Sequence, residues 1–397
     1  MRTEPLPLPA PSTALPRDAA SAILVGRVWR PELSGPSVVV IREGRAVDIS
    51  SHHATMTDLV EHVAGGGSVS DLSGEDIGSV DDLVRNADPS ARDESLPRVL
   101  SPIDLQAIKA AGVTFAVSML ERVIEERAGG SAEHADGIRA KVTEALGGSL
   151  DSLVPGSDAA EELKSVLRRE GLWSQYLEVG IGRDAEIFTK AQTLSSVGTG
   201  ETAGVYSRST WNNPEPEVAV IVSSGGTVVG ATLANDVNLR DFEGRSALLL
   251  SKAKDNNASA VIGPFIRLVD DGYTVADIAE TEVSLTVRGA EGFELQGSSS
   301  QAASSRTIDA LLSQLIGAHH QYPDGAVLLL GTMFAPTQDR SEPGLGFTHR
   351  IGDAVTISSP RLGTLANRVG HSEDCAPWTF GVSELMRNLA ARGLLGA

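Results

Sequence analysis

Residues 211–241 read WNNPEPEVAVIVSSGGTVVGATLANDVNLRD, two apolar runs joined at Gly225-Gly226 and bracketed by acids. Glu217 to Val222 and Thr227 to Leu233 have the Val-rich composition of strands. Gly225-Gly226 predicts a two-residue hairpin turn, because both central positions of a type I′ turn need positive φ. Glu215 and Glu217 lie two residues apart, so a strand carries them on one face. A turn at the glycine pair sets Glu215 opposite Asp236 and Glu217 opposite Ala234, and opposed Cβ atoms sit about 5 Å apart. Three carboxylates then meet at one end of the hairpin. Acids so close raise one another's pKa unless something compensates. A cation does so most simply, and all-oxygen ligation points to Mg²⁺, with Mn²⁺ or Ca²⁺ as alternatives. The spacing alone is equally that of a solvated hairpin with no ion.

Downstream, short apolar strands alternate with Gly and Pro turns at Val283 to Arg288, Ala326 to Leu330 and Ala354 to Ser358. That texture argues a sheet-rich barrel or roll and not a doubly wound fold. A helix is predicted from near Ile308 to His319-His320, and a short one over Met386 to Leu395. Upstream, Ala22 to Trp29 and Ser37 to Ile41 read as strands. Arg42-Glu43-Gly44-Arg45 turns the chain into a third over Ala46 to Ile49. Helical spacing covers Ser79 to Arg85 and Phe115 to Arg127, the latter stopped by Gly129-Gly130. Further helices are expected over Ala132 to Leu146 and Asp158 to Glu170. The proline-rich start reads as a loose tail, and the texture changes near residue 172.

At 397 residues the chain is long enough for two cores. Its net charge of -19 repels phosphate backbones and anionic lipid, which argues against nucleic-acid or membrane partners. The lone Cys375 allows neither an intrachain disulfide nor a cysteine-rich zinc site and fits a reducing cytoplasm. No apolar run approaches the roughly 20 residues of a membrane span. Gly198-Thr199-Gly200-Glu201-Thr202-Ala203 nearly matches a dinucleotide fingerprint, but polar residues follow where a helix is required.

Larger motifs carry a family resemblance. Pro214-Glu215-Pro216-Glu217, Ala234-Asn235-Asp236-Val237-Asn238-Leu239-Arg240-Asp241 and Lys254 before Gly263-Pro264 resemble the signature of the fumarylacetoacetate hydrolase family. Ile187-Phe188-Thr189-Lys190, Ser196-Val197-Gly198, Gly331-Thr332 and Ile351-Gly352-Asp353 are similar to further elements of it, over roughly 105–370. The resemblance implies an α+β protein: a mixed β-roll catalytic domain over 173–397, behind a smaller α/β N-terminal domain. That domain would cover 21–172 with a lid-like helix, after a flexible tail over 1–20. It implies Glu215, Glu217 and Asp236 as metal ligands. It further implies Glu186 and Lys254 as catalytic groups, with substrate contacts from Lys190, Thr332, Ser118 and Glu121.

Family hydrolases carry a His and a Glu three residues apart on a mobile helix. Here Ser118 stands in place of the His, and Glu121 is kept. A hydroxyl does not titrate near neutrality and cannot activate water as imidazole does. Glu186-Ile187-Phe188-Thr189-Lys190-Ala191, Trp211-Asn212-Asn213 and Ala253-Lys254-Asp255-Asn256-Asn257 look instead like the sugar-acid branch, the 2-keto-3-deoxypentonate dehydratases. The expectation is a metal-dependent hydro-lyase converting a 2-keto-3-deoxypentonate to 2,5-dioxopentanoate, cytoplasmic and homodimeric or homotetrameric. A C–C hydrolase or decarboxylase of a diketo acid is the alternative.

Overall fold

A computed structural model of the chain describes residues 5–129, 131, 134, 153–169, 171, 173–334, 336, 338–340 and 346–395. In chain order the strands are β1 Leu24–Arg30, β2 Gly35–Arg42, β3 Arg45–Asp48, β4 Glu75–Ser79, β5 Arg98–Val99, β6 Ala107–Gly112, β7 Glu186–Ala191, β8 Thr202–Val205 and β9 Asn212–Asn213. They continue as β10 Pro216–Val222, β11 Val228–Asp236, β12 Asn238–Leu239, β13 Ala260–Leu268, β14 Glu282–Arg288, β15 Glu294–Ser300, β16 Ala326–Leu329, β17 Ala354–Ser359 and β18 Gly363–His371. The helices used below are α1 Met56–Ala64, α2 Val80–Arg85, α3 Ala116–Arg127, α4 Asp158–Arg169, α5 Gln175–Ile181, α6 Arg240–Glu243 and α7 Leu250–Lys254.

An eleven-stranded sheet runs β4-β3-β2-β1-β13-β11-β10-β16-β6-β7, with β5 paired to β1. A five-stranded sheet runs β15-β14-β17-β18-β8. Pairing is antiparallel except for β16 with β6 and β18 with β8. Strands from both sides of residue 172 share the large sheet, since β1 pairs with β13.

Strand β10 shows why the apolar runs are continuous. All seven of its residues are buried. Val218, Val220 and Val222 pack into the roll interior with Leu285 and Val287 of β14 and Ile357 of β17. Ala219 and Ile221 face the other way, with Val327 and Leu329 of β16 and with Met56, Leu59 and Val60 of α1. A strand covered on both faces loses hydrophobic alternation. Helix α1 can lie there because Thr55 and Asp58 form a capping box at its start.

Most expected elements are present within one or two residues, and a few are not. The proline-rich start is no loose tail over residues 5–20. Pro11–Ala14 form a short 3₁₀ turn, Ala14 is buried, Arg368 Nε donates to Leu6 O at 2.7 Å and Arg17 N to Pro360 O at 2.9 Å. Prolines fix φ without needing donors, so a proline-rich segment can pack irregularly at low entropic cost. The helix after Thr307 stops at Leu315, because Ile316 is extended; His319 and His320 lie in the turn that follows. The last helix spans Val382–Ala391, four residues earlier than expected, and Gly393 at φ 68° closes its end. Strand β6 was not anticipated, since Ala-Ile-Lys-Ala-Ala-Gly has weak strand propensity; pairing on both sides overrides that. The helix expected over Ala132 to Leu146 falls outside the described residues but for His134. Among the described residues no helix is long and apolar enough to cross a membrane.

Leu328 is fully buried in the roll interior. Leu328→Ala is expected to cost about 2–5 kcal/mol, measured as a lower urea midpoint at unchanged slope.

Candidate active site and metal centre

Pro216 pairs with Asn235 and Glu217 with Ala234, and Asp236 N donates to Glu215 O at 3.0 Å. This is the register expected from the sequence, reached by a different turn. Gly226 N donates to Ser223 O at 3.0 Å and Ser223 N to Thr227 O at 2.9 Å, and of the two glycines only Gly226 has positive φ, at 85°. The loop therefore holds three residues and is centred half a residue early. A bulge restores the offset, with Val222 facing Val228 but Ile221 facing Gly230. One carboxylate oxygen from each of Glu215, Glu217 and Asp236 lies within 4.8 Å of the others, and each residue is 1% exposed.

Each acid is held by a different part of the fold. Glu217 accepts from Gly331 N at 2.8 Å and Thr332 Oγ1 at 3.2 Å. Gly331 has φ 104°, and a Cβ there would meet Thr114 Oγ1 at 1.9 Å, so only glycine brings that N–H to the carboxylate. Asp236 receives Lys254 Nζ at 3.0 Å on Oδ2, and its Oδ1 lies 2.8 Å from Lys190 Nζ. Glu215 is gripped from two sides, by Lys254 Nζ at 2.5 Å and by the Arg122 guanidinium. Burial acts to raise the Glu215 carboxyl, but Lys254 and then Arg122 outweigh it and hold it down at about 2. Glu217 has no such partner. Burial, then the charges of Asp236 and Glu215, push it well above the usual carboxylate range.

Arg122 and two of its partners, Glu125 and Glu243, were not singled out in the sequence. Arg122 sits on α3 and pairs with Glu125 at 2.7 Å and Glu243 at 3.3 Å besides Glu215. Arg240 lies 3.2 Å from Glu125 and donates to Asn213 Oδ1 at 2.9 Å. A helix followed by a separate short helix after β12 gives no local sign that the two share a charge network. The signal available was modest: Arg122 follows Glu121 directly, and Glu243 lies two residues past Asp241.

A small cavity, lined among others by Arg122, Glu186, Glu243, Lys254, Ser118 and Thr332, opens onto the three acids. Glu186 begins β7 opposite Gly112, and burial, then the charge of Glu243, push its carboxyl up to about 7. Other expected site residues do different work. Lys190 is fully buried and does not line the cavity; its ammonium donates to Val237 O at 3.1 Å and Lys254 O at 2.5 Å, which places it behind Asp236. Ser118 reaches the cavity wall, but its hydroxyl lies 2.8 Å from Thr332 O and 3.3 Å from Phe115 O. Glu121 is buried on α3 and is not among the lining residues. Asp241 accepts from Ser209 Oγ and Thr210 N, so it braces the loop. A larger hollow of about 200 Å³ under the N-terminal arm has only Arg85 and Asp88 as charged walls.

The arrangement fits a divalent cation. Glu125, Glu186, Glu215, Glu217, Asp236 and Glu243 stand against Arg122, Lys190, Arg240 and Lys254, six acids to four bases. Without an ion the imbalance is met by raising Glu217, Glu186 and Glu125 towards their neutral forms, burial being the first cause for each. Two positive charges beside three clustered carboxylates remove it directly.

Residues 188–370 match the family model described as fumarylacetoacetate (FAA) hydrolase C-terminal. A protein of Haloferax volcanii named "Probable 2-keto-3-deoxyxylonate dehydratase" is 32% identical over 194 residues, 49% of this chain and 63% of that protein. The 2-dehydro-3-deoxy-D-arabinonate dehydratase of Saccharolobus solfataricus is 32% identical over 184 residues, 46% of this chain and 58% of the relative. The chain thus spans about three fifths of the curated relatives it matches. Among solved structures, 2-keto-3-deoxy-D-arabinonate dehydratase complexed with magnesium and 2,5-dioxopentanoate superposes with a TM-score of 0.61, covering 88% of this chain and 99% of that one at 21% identity. These findings bear out the family resemblance and the mixed β-roll read from the motifs.

Gly112 leaves room for Glu186, since a Cβ at 112 would lie 2.0 Å from Glu186 Oε2. Gly112→Ala is expected to displace that flexible carboxyl while the fold survives. The check is a thermal midpoint within a few degrees of wild type beside a turnover lowered about 10-fold or more, the outcome expected if the Glu186 carboxyl takes part in proton transfer.

Proposed function

We propose that the protein is a metal-dependent hydro-lyase of the fumarylacetoacetate hydrolase family that dehydrates a 2-keto-3-deoxypentonate to 2,5-dioxopentanoate. The observation that carries this reading is the cluster of Glu215, Glu217 and Asp236, facing a cavity that also holds Glu186. The names borne by the two curated relatives support the substrate class.

Glu215, Glu217 and Asp236 would hold Mg²⁺, with Mn²⁺ or Ca²⁺ as other occupants. When bound, the cation acts as a Lewis acid towards the 1-carboxylate and 2-keto oxygens and favours loss of a C3 proton. The side chains then have two proton transfers to manage, one from C3 and one to the hydroxyl leaving C4. Glu186, with its carboxyl near 7, can be neutral at physiological pH and suits donation to the leaving hydroxyl. Lys254 donates to Glu215 and Asp236 and places a positive charge at the metal ligands, beside the reacting carbons. Lys190 positions Asp236 from behind, Ser118 fastens α3 to the backbone of Thr332, and Thr332 offers its hydroxyl side to substrate beside Glu217. Glu121 belongs to the same helix and acts through its placement. A hydrolytic reading would need a base for water at Ser118, whose hydroxyl faces two backbone carbonyls instead.

The same reading makes the enzyme cytoplasmic, a homodimer or homotetramer, and a binder of a small 2-keto acid. The free, buried Cys375 and the net charge of -19 support the setting.

Incubation with Mg²⁺ and a 2-keto-3-deoxypentonate should yield an aldehyde and water; release of two acids would indicate a C–C hydrolase instead. Glu217→Ala and Asp236→Ala should each abolish metal-dependent turnover and leave the fold intact. They should also erase the Mg²⁺-induced rise in thermal midpoint, a linkage of about 2.7 kcal/mol at a hundredfold excess over Kd. Full turnover by either variant without metal refutes the assignment. With Glu186 acting as an acid, kcat should fall as pH rises through about 7, because the neutral form is lost above its pKa. A pH profile measured at saturating Mg²⁺ checks this, and in Glu186→Gln that limb should be gone together with most of the activity.

A further inference from the structure

Dehydration by this route needs a proton acceptor as well as a donor. Lys254 donates to Glu215 and Asp236, and Lys190 does not reach the cavity. One titratable side chain in the cavity wall remains without a task. Glu243 closes α6, is 3% exposed and lines the cavity together with Glu186. Its Oε1 lies 3.3 Å from Arg122 Nε, while its Oε2 is buried with no hydrogen-bond partner among the described residues. A buried carboxylate oxygen left without a donor is costly and is rare in folded proteins.

We infer that Glu243 is the second proton-transfer residue of this site, taking the C3 proton while Glu186 protonates the hydroxyl that leaves C4. The inference rests on the dehydratase reading above. Arg122 is a permanent cation and holds one oxygen of Glu243, so the carboxyl is fixed in place with its other oxygen left over. The charge of Glu243 is the first charged influence raising Glu186. Two carboxyls line one cavity, and the one at Glu186 is pressed towards neutral, which leaves Glu243 placed as its complement in an acid and base pair. Glu125 also pairs with Arg122, but it does not line the cavity.

The proton count closes. Glu243 carboxylate takes the C3 proton, the C3–C4 double bond forms, and the C4–O bond breaks. The hydroxyl departs as water with the proton of Glu186. Glu186, now a carboxylate, takes a C5 proton as the conjugated ketone shifts to the dienolate, and Glu243 returns its proton to C3, restoring the ketone. The remaining C5 enol becomes the aldehyde when C4 gains the proton held by Glu186 and the C5 hydroxyl proton passes back to Glu186. Both residues end as they began, one water is lost, and no outside oxidant or reductant takes part.

The two roles separate in a substrate analogue with no C4 hydroxyl. With saturating Mg²⁺ in D₂O, 2-oxopentanoate should exchange its C3 protons on the wild-type enzyme, followed by proton NMR. Glu186→Gln should keep that exchange within several-fold while losing dehydration of the true substrate. Glu243→Gln should lose both by about 10²–10⁴-fold, the usual worth of a general base, and keep the Mg²⁺-induced thermal shift. Exchange by a folded Glu243→Gln at the wild-type rate overturns the inference while wild-type dehydration keeps the dehydratase reading. If Glu243→Gln does not fold, Glu243→Asp decides: exchange slowed about 10-fold or more supports the role, and unchanged exchange overturns it. A wild-type enzyme that neither exchanges nor dehydrates removes the dehydratase reading and this inference with it.

Discussion

Buried like charge is the constraint that organises the rest of the molecule. Glu215, Glu217 and Asp236 are all but inaccessible to water, so nothing but protein or a bound cation can answer their charge. Glu215 is answered twice, by Lys254 and Arg122, and ionises readily. Among the described residues Glu217 receives only a backbone N–H and a hydroxyl, and it is the acid driven towards neutrality. The asymmetry leaves the cluster with its cations on one side.

Three separate parts of the chain are needed to hold this asymmetry. The β10–β11 hairpin supplies the acids, the segment through α7 supplies Lys254, and α3 supplies Arg122. Lys190 joins the first two: it meets Asp236 and also the carbonyl of Lys254, so the residue that carries the ammonium is fixed relative to the acid it faces. Ser118 and Arg122, one turn apart on α3, fasten that helix to Thr332 and to Glu215 respectively. Positioning residues thus outnumber the groups that would meet a substrate, a common property of sites that must stay ordered while charged.

The meeting of the three acids was legible because strand periodicity and a glycine pair are local signals. Its correctness nevertheless depended on two departures that cancel: a longer loop moves the register one way and a bulge beside Val222 moves it back. Neither Ser224 nor Val229 announces this. A sheet-rich barrel or roll could be read from short apolar runs between turns and the roll from the motifs, whereas β6 could not be read, as its Ala and Lys gain strand character only from neighbours distant in sequence. Lys190 looked like a substrate contact because it sits in a motif, yet burial decides its role and burial is not written in the motif. Arg122 and Glu243 were invisible for a similar reason. They lie on different helices, far apart in the chain, and only the packing of α3 over α6 brings their charges together.

The continuity of the large sheet has a consequence for how the chain is made. The hairpin of β1 and β2 finds its place in that sheet only by pairing with β13, some 240 residues later, through Leu24 with Arg267 and Val25 with Ile266. A ribosome adding about 5–20 residues per second delivers that partner only many seconds after the hairpin emerges. Strand β5 covers Val28 and Trp29 early, but Leu24 and Val25 keep an open edge throughout that interval, the kind of surface that chaperones shield and that pairs with the wrong neighbour when left alone.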